Sequence, residues 1–326
     1  MTALARSSRI SPRLLGAIPL LVFACLFAYL GYESPTFLRL STFELVLKQA
    51  IPTVIVSLGL AAVVIAGGDD VVAGGIDLSI PATAIICAAI IADQLTNVGN
   101  PLIVGLVLAF GAAAFVGALN AFLVVGIGMT PLLSTLAVSV AIVGVTKVIT
   151  ESRRIGVSDE TIIFIRDGEI FGVSAGVIFT AIIVLVFVHF LHRTRWGMSM
   201  QATGGSRDAA EISGIATRKF VIQSFLIAAF AGWLASMFVL ARGSGSSPGT
   251  EENLLLEMVL ATFLGAAFSP RRVVTAWGAV LGAVVVSALS VGFISIGVNV
   301  FWTGCIKGAL ILLVVASAAA TTKERS

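Results

Sequence analysis

Three aspartates and four glycines break an apolar run in the segment Ile65-Ala-Gly-Gly-Asp-Asp-Val-Val-Ala-Gly-Gly-Ile-Asp-Leu-Ser79. Glycine permits tight turns and close backbone approach, while Asp77 and Ser79 can cap the start of a following helix. In lipid every backbone polar group needs an internal partner, so irregular backbone at membrane depth requires protein cover or a watered cavity. Two readings follow from the residues alone. The segment is a polar turn with a good cap on an aqueous face, or it is a re-entrant break lining a permeation path with its aspartates facing water. Under the second reading Gly74, Gly75, Asp77 and Ser79 are candidate pathway residues.

Other reactive side chains are sparse. Lys307 lies in the last apolar stretch, where a charge is expensive unless it snorkels or finds a partner; a structural or path-lining role is expected rather than catalysis. Lys48, near one end of the second stretch, is expected to snorkel. His189 and His192, three apart on one helix face, could pair on a metal, yet no carboxylate or cysteine joins them nearby, and histidines at the membrane interface are expected. Cys25, Cys87 and Cys305 fall in apolar stretches without paired spacing, the pattern of small hydrophobes rather than of a disulfide framework or a zinc site. No Gly-x-x-x-x-Gly-Lys-Ser/Thr phosphate loop occurs, so ATP hydrolysis by that chemistry must come from another chain. No convergent acid, base and nucleophile stand together. The expectation is a chain with no catalytic residue, no metal and no cofactor of its own.

The elements that must position these residues are membrane spans. Of 326 residues, 58% are hydrophobic and 11% charged, against about 25% charged in soluble proteins; the mean hydropathy is +1.08. This excludes a water-soluble globule, a disordered chain, a coiled coil and a nucleic-acid-binding domain. Stretches able to cross the hydrocarbon core fall near 14–32, 45–66, 78–93, 101–125, 130–149, 173–192, 220–241, 256–268, 273–292 and 299–318. The expected fold is all-α: a single polytopic domain over 1–326 with about ten transmembrane helices. The third and eighth are short enough to be re-entrant or broken. Residues 14–32 lack a convincing cleavage site and read as a retained span. With the amino end inside, the inner segments hold Arg6, Arg9, Arg13, Arg193, Arg195, Arg207, Arg218, Lys219, Arg271, Arg272, Lys323 and Arg325, and the outer ones Arg39, Arg153, Arg154, Arg166 and Arg242. This bias predicts a cytoplasmic amino end (1–13), a cytoplasmic connection (193–219) and a cytoplasmic carboxyl end (319–326). Gly278-x-x-x-Gly282 and Gly304-x-x-x-Gly308 allow close helix approach.

Gly74-Gly-Ile-Asp-Leu-Ser79 resembles the Gly-Gly-Ile-Asp-Leu-Ser signature of membrane permeases from bacterial ABC sugar importers of the ribose/galactoside/xylose type. Gly117-Ala-Leu-Asn120, Thr130-Pro131-Leu-Leu-Ser-Thr135-Leu136, Phe301-Trp302 and Lys307-Gly308 resemble further elements of that family, in the same order over roughly 45–316. Ser206-Arg-Asp208-Ala209-Ala210-Glu-Ile-Ser-Gly214-Ile215 resembles the family's Glu-Ala-Ala-x-x-x-Gly element, the coupling helix that docks on the ATPase; Ser206 can cap it and Asp208 stands in its first turn. Two segments depart from the pattern: Gly67-Gly68-Asp69-Asp70 echoes the signature, and Leu264–Arg272 keeps only Gly265 of a usually glycine-rich loop.

The resemblance implies a permease subunit in the bacterial inner membrane that moves a monosaccharide or sugar-like solute. It implies an ABC ATPase subunit using ATP and Mg, a soluble periplasmic sugar-binding protein, and a second permease chain in a homodimer or heterodimer. The surrounding lipid is a further contact, and nucleic acid is not a partner. Ser206, Asp208, Ala209, Ala210, Gly214 and Ile215 would couple to the ATPase. Gly74, Gly75, Asp77, Ser79, Asn120, Thr135 and Lys307 would line or shape the path. The segment 150–172 and Glu251, Glu252 and Glu257 are candidate docking positions for the binding protein. An ion-driven secondary transporter with Asp77 and Lys307 as carriers is the alternative, and an intramembrane enzyme is a weaker one.

Overall fold

A computed structural model describes residues 18–68, 74–269 and 271–323. Ten apolar helices account for the expected spans: α1 (Ile18–Glu33), α2 (Leu40–Gly67), α3 (Ile80–Asp93), α4 (Leu102–Ala121), α5 (Pro131–Ile149), α7 (Ala175–Arg193), α10 (Thr217–Gly243), α11 (Glu251–Ala267), α12 (Ala276–Ser295) and α13 (Val300–Lys323). Three polar helices are added between them: α6 (Glu160–Asp167), α8 (Arg195–Gly205) and α9 (Arg207–Ile212). Among the described residues, seven helices are long and apolar enough to cross a membrane, so a count of ten passes is approximate. The third expected span is not a half-helix: a π-helical turn, Gln94–Val98, extends it to 19 residues. The eighth stays short, 17 residues with Glu251 and Glu252 in its first turn.

The helices are ordered by how much of each is enclosed. The most apolar window of α2 is 94% buried, held between α10, α11 and α12 with α7 and α8 alongside. The windows of α4 with its π-helical extension and of α5 are 28% buried. Large apolar side chains such as Val107, Phe115, Val140, Val148 and Leu185 stand exposed, as expected where the solvent is lipid rather than water. Small residues set the closest approaches. Gly117 meets Phe225 and Ala229, Gly265 meets Gly278, and Gly282 meets Ala261. The Gly278-x-x-x-Gly282 spacing is therefore used within the chain, to seat α12 on α11. Gly304 and Gly308 face open space.

The bundle has two dissimilar ends. At one, β1 (Ile155–Gly156) pairs antiparallel with β4 (Gly245–Ser246), and β2 (Glu169–Ile170) pairs with β3 (Val173–Ser174) in a hairpin beside α6. Asp159 caps α6, accepting from the Thr161 and Ile162 amides. Arg154 donates to the Gly243 and Ser244 carbonyls, and Arg166 to the Ser244 hydroxyl. The segment 150–172 is thus a folded cover tied to the end of α10. The other end carries the glycine-rich break, α8 and α9. These are the hairpin end and the break end below.

Candidate functional site

The break is closed by backbone against backbone. Gly68 has φ +94, in the region that favours glycine. Its N–H donates to the Val64 carbonyl at 2.9 Å, and its own carbonyl accepts from the Gly75 N–H at 3.2 Å. A Cβ on Gly67 would strike Gly75, one on Gly75 would strike the Val63 carbonyl, and one on Gly204 would strike the Ile65 carbonyl. The Gly67-Gly68 echo is therefore the surface on which Gly75 and the end of α8 rest. Asp69 and Asp70 lie outside the described residues.

Downstream of these glycines, the polar residues gather into one buried cluster. The Ser79 N–H and hydroxyl both donate to Asp77 Oδ1, at 2.8 and 2.6 Å. The Asn120 amide of α4 donates to the Ser79 hydroxyl at 2.7 Å. The Leu78 N–H donates to the Thr135 hydroxyl of α5 at 3.1 Å, which itself donates to the Pro131 carbonyl. Asp77, Ser79, Asn120 and Thr135 are all at most 1% exposed. Two expectations are corrected here. Asp77 does not face water; its carboxylate gathers the start of α3 inside the protein. Ser79 sits at the N-cap position of α3 but makes no side-chain cap; its hydroxyl oxygen accepts from the Asn120 amide instead. The cluster joins Asp77, Ser79, Asn120 and Thr135 across the start of α3, α4 and α5, with Gly74 and Gly75 in the break that precedes it. Among the described residues, Asn120 Oδ1 is buried without a hydrogen-bond partner.

Lys307 stands apart from this cluster. Its Nζ lies 2.7 Å from Glu257 Oε1, and the Thr53 hydroxyl donates to Glu257 Oε2 at 2.7 Å. The two charged side chains are 7% and 14% exposed. A buried charge needs a partner and further hydrogen bonds, and this triad from α2, α11 and α13 supplies both. Glu257, expected as a docking position, is instead the counter-ion of Lys307. Glu251 is also mostly buried, accepting from the Gly249 N–H; Glu252 is exposed. Glu257 was the partner that sequence reasoning missed, and the signal was present: it lies six residues inside α11, as Lys307 lies seven inside α13.

At the break end the connection 193–219 holds two short helices, α8 and α9, and the segment expected as the coupling helix forms the second. Ser206 caps α9, accepting from the Ala209 N–H, with Asp208 in the first turn. Ala210 is buried, whereas Asp208, Ala209 and Gly214 are exposed and Ile212 is 88% exposed. Gly214 has φ +79, and the Ile215 N–H returns to the Ala210 carbonyl at 2.9 Å, which ends the helix and turns the chain into α10. Glu211 accepts from the Thr217 hydroxyl at 2.5 Å. Arg207 and Glu211 line a cavity of about 520 Å³ together with Gly74, Gly75, Thr130 and Pro131. The break and the coupling segment therefore border one shared cavity.

The histidines do not form a pair. His192 Nε2 accepts from the Ala276 N–H at 3.0 Å, at the first residue of α12, while His189 is exposed. Cys87 is buried, its thiol donating to the Ala109 carbonyl, and Cys25 and Cys305 are exposed. Among the described residues, no group of three or more His, Cys, Asp or Glu could hold a metal.

Comparison with known proteins places these features in a larger group. A family model described as branched-chain amino acid transport system / permease component matches residues 42–315. A probable ABC transporter permease protein, y4mJ of Sinorhizobium fredii, is 29% identical over 305 residues, covering 92% of this chain and 86% of that one. The galactose/methyl galactoside import permease protein MglC of Escherichia coli is 26% identical, covering 90% and 91%. The ribose import permease protein RbsC of Escherichia coli is 27% identical, covering 91% of each. No solved structure matches.

Proposed function

This chain belongs to the family of the permease component of branched-chain amino acid transport systems, and from that premise we propose that it is the membrane subunit of an ATP-driven importer for a monosaccharide or sugar-like solute. The observation that carries the reading is the match across nearly the whole chain to import permeases named for galactose and ribose. The family's description names amino acids; the relatives give the solute class. A multi-pass permease without its own phosphate loop requires a separate ATPase that uses ATP and Mg, and a soluble binding protein to deliver the solute. A second permease chain, identical or divergent, completes the path. The placement is the bacterial inner membrane with both termini cytoplasmic, so that the break end faces the ATPase and the hairpin end faces the binding protein.

In this reading α9 is the docking element. Its exposed face offers Asp208, Ala209 and Ile212, and the other face abuts the cavity that reaches Gly74 and Gly75. The ATPase must bind the permease's two packings unequally, because equal affinity shifts nothing. A rigid-body movement of α8 and α9 would act directly on the Gly67–Gly75 contact. Asp77, Ser79, Asn120 and Thr135 then hold the start of α3 to α4 and α5, so that the break moves as a unit. The ion-driven alternative finds no support in the relatives, and its two proposed carriers are each engaged inside the protein. The test is uptake of labelled D-galactose, D-ribose, D-fructose and L-leucine by cells making the chain with its neighbouring transport genes. Uptake of a sugar is expected that disappears without the ATPase and falls at least tenfold with Asp208→Lys or Gly214→Pro, while the permease remains in the membrane. Uptake that persists without the ATPase and follows an ion gradient would overturn the reading.

A further inference from the structure

We propose that a cavity at the hairpin end, beside the Lys307–Glu257 pair, is a transit site that receives a hydroxyl-rich solute on its way to the break end. The proposal rests on the sugar-import reading above and adds a place within the chain for the solute. The cavity measures about 310 Å³, at the lower end of the range that holds small ligands. Its polar lining comes from Thr42 and Gln49 of α2, Arg242 of α10, Glu257 of α11, and Ser287 and Ser290 of α12. Glu257 stands six residues into α11, about 9 Å below the helix start at 1.5 Å per residue. The cavity therefore enters the bundle rather than resting on its end.

The chemistry of the lining fits hydroxyl groups, which both donate and accept. The Ser290 hydroxyl donates to the Val286 carbonyl and keeps lone pairs to accept. Among the described residues the Ser287 hydroxyl is buried with no partner, although its residue borders the cavity. Each Glu257 oxygen holds one donor, Lys307 or Thr53, and has a second lone pair open. Donors come from the Arg242 guanidinium, anchored by one N–H to the Gln49 carbonyl, and from the Gln49 amide. With Lys307 beside it, the Glu257 charge is balanced, and the Arg242 guanidinium is the remaining charge of the lining among the described residues. Among the described residues no aromatic ring lines the cavity. A pathway site must bind well enough to be entered and weakly enough to be left, and hydrogen bonds without a stacking platform meet that condition. The cost of an acid and a base at membrane depth is also explained, since such residues usually face a watered path.

The test uses thiol access in the intact transporter. Cys25, Cys87 and Cys305 are replaced by Ala, and Ser290→Cys or Gln49→Cys is introduced separately. Cells are treated with a membrane-impermeant, positively charged thiosulfonate, and uptake of D-galactose, D-ribose, D-fructose and L-leucine is measured. Either position is expected to be labelled from outside, labelling to lower sugar uptake at least tenfold, and the transported sugar to slow labelling at least threefold. Two positions are used so that a variant that fails to reach the membrane does not decide the matter. If a chain that transports sugar is labelled at neither position, or transports at its former rate once labelled, the transit site is overturned and the import reading stands. If the unlabelled transporter takes up L-leucine and none of the three sugars, the sugar reading falls and this proposal with it.

Discussion

Lys307, Glu257 and Thr53 show what a charge inside a membrane protein demands. Together they make a balanced, hydrogen-bonded unit. Removing one member leaves the other charge buried and alone, at a cost of about 3–5 kcal/mol. Lys307→Met should therefore lower the unfolding midpoint in detergent sharply, and Lys307→Met combined with Glu257→Gln should recover most of the loss. Equal destabilisation by the single and double variants would mean the pair is not coupled. A second residue-scale test concerns Ser79, whose hydroxyl stands between Asp77 and Asn120. Ser79→Ala leaves the buried Asn120 amide without its acceptor and Asp77 Oδ1 with only the backbone N–H of position 79, and about 1–3 kcal/mol of stability should be lost, read from the same unfolding midpoint; an unchanged midpoint would show the cluster to be loosely satisfied. The residues of this cluster could be picked out singly in the sequence. That the Asp77 carboxylate turns inward could not, because composition and spacing do not say which side of a break is wet.

At the scale of elements, the break and the coupling segment respond to different substitutions. Gly75 lies against Val63 and Gly67 with no room for a side chain. Gly75→Ala must push α2 and the break apart, and overpacking of this kind costs about 1–3 kcal/mol. Gly144→Ala in α5, where nothing lies within 4 Å, is the matched control and should be neutral in the same assay. In α9 the Ser206 cap is worth about 1 kcal/mol, a large share for six residues. Ser206→Ala should accelerate amide hydrogen exchange across 207–212 and leave α10 unchanged; no change in exchange would show that the Thr217–Glu211 hydrogen bond and the burial of Ala210, rather than the cap, hold α9 in place. The helices were legible because the apolar stretches are long, and the cap because Ser206 precedes a helical run. The folded cover at 150–172 was less so. Its strands are two residues each, too short for a periodic signal, and its anchors are backbone carbonyls of Gly243 and Ser244 far along the chain.

For the whole molecule, the charge bias predicts a topology that alkaline phosphatase fusions can check. Fusion after Val157 should be active, because the bias predicts that segment in the periplasm, and fusion after Ser213 should be inactive; the reverse pattern would invert the predicted orientation and the docking faces with it. Sequence alone ranked the spans only by hydropathy, and hydropathy does not reveal that α2 is almost wholly enclosed while α4 and α5 are not. That enclosure has a consequence for how the protein is made. The neighbours that bury α2 include α10, whose first residue, Thr217, is synthesised 150 residues after Gly67. At about 5–20 residues per second, α2 waits roughly 8–30 s before its main partner exists. During that interval it must be content in lipid, although in the finished molecule it barely meets any. Its apolar surface serves two environments in succession, and the interval between them is when a membrane protease or an insertion chaperone can tell a chain that will assemble from one that will not.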